Sequence, residues 1–257
     1  MTPDEPGGVA GVRVTAVQAF LDAPATTANE LRTFWSEVTG WPVAWPWAGH
    51  PELSTFAPPS GTPGVSVQDA DAVPRVHLDL YPNGDPNALV DHVVGLGARL
   101  VQRHDWWTVV ESPGGLPLCV VKEPAGDPAP ATTWPDGHRS RVVQVCLDIP
   151  DAHWRMEVAF WQAALGWDPT PHSRSEYSGF EAPRCSPLRV LLQRLGTADS
   201  STTVRAHLDL GTDDLEAEAE RLVRIGAGKQ AQPVDGADWV VLTDPAGLSF
   251  CVTARRP

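Results

Sequence analysis

Two hydrophobic rhythms alternate along the chain. Residues 12–21 are apolar and rich in β-branched types, which predicts a strand. Over 28–38, Leu31, Phe34, Trp35 and Val38 fall at i, i+3, i+4 and i+7, one face of a helix, and Gly40 is placed to end it. Short strands are predicted around 53–57 and 65–68, and the pattern restarts with a strand at 75–81. A second helix puts Leu89, Val93 and Leu96 on one side and stops at Gly97. Strands at 107–110 and 118–121, joined by Pro113-Gly114-Gly115, close the half. The rest of the chain echoes this order. Strand 142–147 is followed by a helix carrying Val158, Trp161 and Leu165, then strands near Phe180 and at 190–193. Strand 205–210, a helix with Leu215, Ala219 and Leu222, and strands 240–243 and 250–253 complete it. The rhythm is βαβββ four times.

The echo is also literal. The stretch from Trp107 to Val120 aligns without a gap on Trp239 to Val252, matching Pro113 to Pro245, Gly115 to Gly247 and Cys119 to Cys251. His77-Leu78-Asp79-Leu80 matches His207-Leu208-Asp209-Leu210, and Phe34-Trp35 with Gly40-Trp41 matches Phe160-Trp161 with Gly166-Trp167. Collinear matches of this kind mark a duplicated domain. The layout is therefore a disordered tail at 1–11, a first domain at 12–122, a proline-rich linker at 123–139 and a second domain at 140–257. The fold class is α+β.

Composition narrows the function. With 19 basic against 32 acidic residues, a net charge of −13, nucleic acid and anionic membrane are unsuitable partners. No apolar run is long enough to span a bilayer. The start of the chain has neither the basic nor the apolar segment of a signal peptide, so a cytoplasmic location is expected. Four cysteines without a CxxC pair point away from a zinc ribbon or a redox motif.

The motifs resemble a known superfamily. A helix reading Phe160-Trp161 to Leu165-Gly166-Trp167, the His-Leu-Asp-Leu strands, a helix ending in Ile225-Gly226-Ala227 and the Asp244-Pro245-Ala246-Gly247 turn are similar to the vicinal oxygen chelate superfamily, in its glyoxalase and bleomycin-resistance-like branch. The resemblance covers about 13–122 and 140–254. It implies two tandem glyoxalase-like domains, each a pair of βαβββ modules curled into an open, cup-shaped barrel. It also implies a metal in many members, held on the first and last strands of the modules. Those positions fall on Gln18, Gln68, His77 and Cys119 in the first domain, and on Gln144, Gln193, His207 and Cys251 in the second. Members that bind metal usually carry glutamate where the cysteines stand. Two amides, an imidazole and a thiol offer no carboxylate to a hard cation and suit Zn²⁺ poorly, so the expectation is a cup without metal or other cofactor. The alternative is a divalent metal ion.

Asp79 and Asp209 complicate that expectation. Each lies two residues beyond a histidine on a strand and so shares its face. The pairs His77/Asp79 and His207/Asp209 could work as acid/base or substrate-orienting groups, sharing a ligand, a metal or a water. Equally, each aspartate could pair with an arginine or cap a loop. Eleven tryptophans against two tyrosines are the second signal. Trp35 and Trp161 fit the core, while Trp107 and Trp239 recur on a cup strand. Trp45 and Trp47, in an apolar loop with no counterpart in the second half, could line a ligand mouth or an interface. Cys119 and Cys251 read as small buried hydrophobes.

The function expected is binding of a small apolar or aromatic molecule in a cup lined by tryptophan and a His-x-Asp pair. The competing expectation is a metal-dependent lyase, isomerase or dioxygenase of the glyoxalase type. The partner is a small-molecule ligand, with room left for a homodimer. The first domain departs from the family turns at Ala25, Thr39 and Ser112 while gaining the Trp41–Trp47 loop, so it is expected to hold the cup, with Trp45, Trp47 and Trp107 as walls and His77/Asp79 as the polar end. The rival is drift, with those indoles buried against the second domain.

Overall fold

The computed structural model describes residues 12–44, 49–122, 126–230 and 238–257. In each half two βαβββ modules join edge to edge, because the first strands of the two modules pair antiparallel. β1 (Val14–Ala23) pairs with β5 (Arg75–Pro82), setting Gln18 opposite Asp79 and Phe20 opposite His77. β10 (Arg139–Ile149) pairs with β14 (Arg205–Thr212), setting Gln144 opposite Asp209 and Cys146 opposite His207. Each of these strands also takes a parallel neighbour, the last strand of its own module: β4 (Val65–Asp69), β8 (Pro117–Val121), β13 (Arg189–Arg194) and β17 (Ser249–Thr253). The results are an eight-stranded and a nine-stranded mixed sheet, both open. Val43–Ala44, Arg99–Arg103, Pro169–Thr170 and Gly228–Lys229, the first strand after each helix, form the sheet edges. Three of them are two residues long and the fourth, Arg-Leu-Val-Gln-Arg, is exposed throughout, so none carries a hydrophobic alternation to read.

Strand alternation separates two faces. Val17, Ala19 and Leu21 of β1, with Leu78 and Leu80 of β5, join the main core under the helices. Gln18, Phe20 and Asp22, with His77, Asp79 and Tyr81, point the other way, into the cup. The helices α1 (Ala25–Thr39), α2 (Pro86–Gly95), α3 (Trp154–Leu165) and α4 (Leu215–Arg224) supply the rest of the core. Gly40 and Gly166 end α1 and α3 at φ 72° and 64°, a left-handed conformation that glycine adopts without steric cost.

One core runs through both halves. Trp35 of α1 lies 5.4 Å from the ring of Phe250 in the second domain and donates its indole N–H to Asp244 Oδ2 at 3.2 Å. The reciprocal contact is made differently, because Ser112 stands where the second half has Asp244. There Glu157 of α3 takes Trp161 Nε1 at 2.8 Å on one oxygen and the Gly114 amide at 2.6 Å on the other. Arg221 of α4 donates to the last carbonyls of α1, Glu37 O at 3.0 Å and Val38 O at 3.1 Å. The buried Glu218 holds it through two further bonds, and its guanidinium lies 3.5 Å from the centre of the Trp134 ring. Trp134 belongs to the segment expected to be a linker. In the structure, parts of that segment are held against the fold: Thr132–Thr133 pair with β10, Ala129 is buried, and His138 bonds Glu218 at 2.8 Å. The segment looks loop-like in sequence because its contacts come from elsewhere in the chain.

Candidate functional site

Each cup is organised by a histidine held between two aspartates. In the first domain His77 Nδ1 meets Asp22 Oδ1 at 2.7 Å, and Nε2 lies 3.5 Å from Asp79 Oδ1. In the second, His207 Nδ1 meets Asp148 Oδ2 at 2.9 Å, and Nε2 lies 3.5 Å from Asp209 Oδ1. Cys119 sits opposite Asp79, and Cys251 opposite Asp209, in the sheet register. Ligand-type atoms of His77, Asp79 and Cys119 lie within 4.8 Å of one another, as do those of His207, Asp209 and Cys251.

Electrostatics follow the burial. Burial works against the imidazolium of His77, but the Asp22 carboxylate beside it prevails and holds the pKa well above the ordinary histidine value. His207 moves the same way, burial being outweighed by Cys146 and Asp148. Burial raises Asp79 and Asp209 above the usual carboxylate range. It raises the Cys119 and Cys251 thiols too, and pushes Cys146 up to about 12. Such thiols are not poised as nucleophiles at neutral pH.

What fills the cups differs. In the first domain Phe20 stacks on His77, with ring centroids 5.1 Å apart and planes 11° from parallel. Tyr81 donates its hydroxyl to Gln18 Oε1 at 2.7 Å and packs with Ala16 and Val121, with Trp107 and Cys119 against them. In the second domain the register puts Cys146 in place of Phe20 and Gly211 in place of Tyr81. A Cβ on Gly211 would lie 2.9 Å from the Arg255 carbonyl, so no side chain fits there. The second cup consequently opens onto a cavity of about 940 Å³ lined by, among others, Cys146, Tyr177, Gln193, His207, Asp209 and Trp239. A recess of about 500 Å³ adjoins it, sharing Gln144, His172 and Arg255. The guanidinium of Arg174 lies 5.7 Å from the Trp239 ring at the cavity wall.

The predicted site residues fall accordingly. Gln144, Gln193, His207, Asp209, Trp239 and Cys251 all face the second cavity. Gln18, Gln68, His77, Asp79, Trp107 and Cys119 share the concave side of the first sheet, but Phe20 and Tyr81 occupy its floor. Trp107 stacks on His104 at 4.7 Å and meets His50 edge-on at 4.9 Å. Among the described residues, the cup expected to hold a ligand in the first domain carries Phe20 and Tyr81 on its floor. Its proposed walls Trp45 and Trp47 lie outside the described residues. Asp22, Asp148 and Cys146 were not singled out in the sequence. The signal was there, since Cys146 and Asp148 stand two and four residues beyond Gln144 on one strand and so share its face.

A model of the glyoxalase-like domain matches residues 18–121 and again 144–253. The chain belongs to that family. No curated protein matches the chain in sequence. Among solved structures it is similar in fold to an Mn(II)-bound glyoxalase from Novosphingobium aromaticivorans, with TM-score 0.66 and 17% identity over 94% of this chain and 82% of that one. It is also similar to an extradiol ring-cleaving dioxygenase from B. fuscum (TM-score 0.62, 13% identity, 99% and 75% covered). A 2,2',3-trihydroxybiphenyl 1,2-dioxygenase from Sphingomonas wittichii resembles it as well (TM-score 0.59, 11% identity, 93% and 90% covered). At these identities the likeness establishes fold.

The superfamily resemblance implies a metal at Gln144, Gln193, His207 and Cys251, or at Gln18, Gln68, His77 and Cys119. Neither set fits a hard cation, because the four positions include no carboxylate and only one imidazole. Gln144 is moreover occupied, donating Nε2 to Asp209 Oδ2 at 2.5 Å.

Proposed function

We propose that the second domain binds a small aromatic molecule in its cup, while the first domain is a filled copy that serves as scaffold. The observation carrying this reading is the cavity of about 940 Å³ over His207 and Asp209, at the place where Phe20 and Tyr81 close the first cup. Trp239 and Tyr177 offer flat apolar walls, and His207, Asp209 and Gln144 supply a polar end that fixes orientation. Arg174 and Arg255 in the lining offer donors to an acidic substituent, beside Asp148, Asp209 and Asp238. A chain of net charge −13 otherwise repels such ligands.

A screen of aromatic acids by intrinsic tryptophan fluorescence tests the reading. A ligand that quenches emission should lose affinity in Trp239→Ala and keep it in Trp107→Ala. Loss confined to Trp107→Ala would place the pocket in the first domain, and equal loss in both variants would overturn a pocket confined to the second.

A further inference from the structure

We infer that the ligand of the second cup is two-ended: an aromatic ring at Trp239 and, on an arm, a carboxylate or phosphate held by Arg189 and Arg255 in the adjoining recess. The ring end rests on the function proposed above; the oxyanion end rests on the recess itself.

The recess is a chamber in its own right. Its volume of about 500 Å³ is that of a small-molecule site, and the buried Phe180, Val190 and Leu191 give it an apolar wall. It is continuous with the larger cavity, because Gln144, His172, Ser173, Leu191 and Arg255 line both. One ligand can therefore occupy the two together.

Charge divides the chambers. Asp148, Asp209 and Asp238 line the larger one, whereas in the recess Glu181 alone stands against Arg189 and Arg255. Among the described residues neither of these arginines forms an ion pair or a side-chain hydrogen bond. Arg194 and Arg205, on the same sheet, are each tied to an aspartate. Guanidinium groups without internal partners suit carboxylate and phosphate, which they bind bidentately. Their field already acts on a neighbour: burial, and then the charge of Arg255, hold His172 below the ordinary histidine value.

The first copy has no such pair. In its sheet Val65 stands beside Ala19 as Val190 stands beside Val145, so Gly64 takes the place of Arg189. A Cβ on Gly64 would lie 2.8 Å from Leu188, which leaves no room for an arginine. Continuing the ungapped repeat beyond Val120 and Val252 sets Glu123 against Arg255. The basic pair thus belongs to the same copy as the large cavity.

Topology sets the length of the ligand. Arg189 lies on β13 and Trp239 on β16 (Trp239–Thr243), with β10, β14 and β17 between them. At about 4.8 Å per strand the two stand roughly 19 Å apart along the sheet. The reach of the arginine and the concavity of the sheet shorten that span, yet an acid the size of benzoate does not bridge it.

Two measurements test the inference. The first compares ω-phenylhexanoate with the matching alcohol by tryptophan fluorescence of the whole chain. The acid should bind about 10–100-fold tighter, and Arg189→Gln or Arg255→Gln should abolish the preference without changing affinity for the alcohol. The second uses inorganic phosphate alone. It should slow modification of Arg189 and Arg255 by butanedione, mapped by peptide mass, and leave Arg103 on the edge of the first sheet unprotected. If neither organic probe binds but phosphate protects the pair, the aromatic reading falls and the oxyanion site stands. Protection with equal affinity for acid and alcohol overturns the link between the two chambers. Arginines left unprotected, with no acid preference for them to explain, overturn the site, as does a preference that survives loss of both side chains.

Discussion

The first and second cups share a backbone register and a His–Asp–Asp–Cys arrangement, yet among the described residues aromatic side chains crowd the first where the second opens onto a cavity. Two positions account for the difference. Phe20 and Tyr81 lie over His77 and Gln18, where the second cup has Cys146 and Gly211. The side chain of His77 is 7% exposed and that of His207 14%. A duplicated fold can thus keep every polar residue of a cup while changing the side chains that pack beside them. The four polar side chains do not distinguish the two copies; the volume beside them does.

The sharpest way to break this comparison is to empty the first cup. Phe20→Ala should cost about 3–5 kcal/mol in urea unfolding, as expected for a truncated buried phenylalanine. Cys146→Ala, at the matching place, should cost about 1 kcal/mol. Similar costs for the two would mean that the first cup is not filled in the sense argued above.

The interdomain contacts differ as well, and acid exposes it. Burial pushes Asp244 up to about 6 against its bonds from Trp35, Leu248 and Ala246, whereas the unfolded value lies near 3.8. A raised carboxylate contributes stability that is fully present below about pH 4 and lost as pH rises through about 6. Asp244→Asn should therefore flatten the pH dependence of unfolding between pH 4 and 7 by up to about 3 kcal/mol. An unchanged slope would show that Asp244 ionises freely in the fold. Glu157 serves the opposite contact, and Glu157→Gln should cost about 1–3 kcal/mol by setting an amide N–H against the Gly114 or Trp161 donor. Differential melting of this variant reads the effect directly.

Ligand effects are smaller. Trp239→Ala should weaken a bound aromatic acid about tenfold, roughly 1.4 kcal/mol, with near-native melting. Smallest of all, Arg99→Ala should move stability by less than about 0.5 kcal/mol, since its pair with Glu111 lies at the exposed edge of the first sheet.

Much of this protein was legible in one dimension. The duplication, the four βαβββ modules, the helix-capping glycines Gly40 and Gly166 and the shared face of His207 and Asp209 all follow from local spacing. Periodicity and φ preferences act within a few residues, so the chain order carries them. Gln144, His207 and Cys251 were equally accessible through the resemblance of their motifs to a family.

Only the tertiary structure decided what those residues do together. Whether Asp209 faces a free cavity or a tyrosine depends on position 81 or 211, which no spacing rule ties to the histidine. Asp148 became the partner of His207 through pairing across 59 residues. The apparent linker is tied to the second domain because Arg221 and Glu218, far along the chain, present a guanidinium to Trp134 and a carboxylate to His138. Side-chain volume and long-range register are properties of packed surfaces. A single sequence states which residues are available to them, and the fold determines which of them meet.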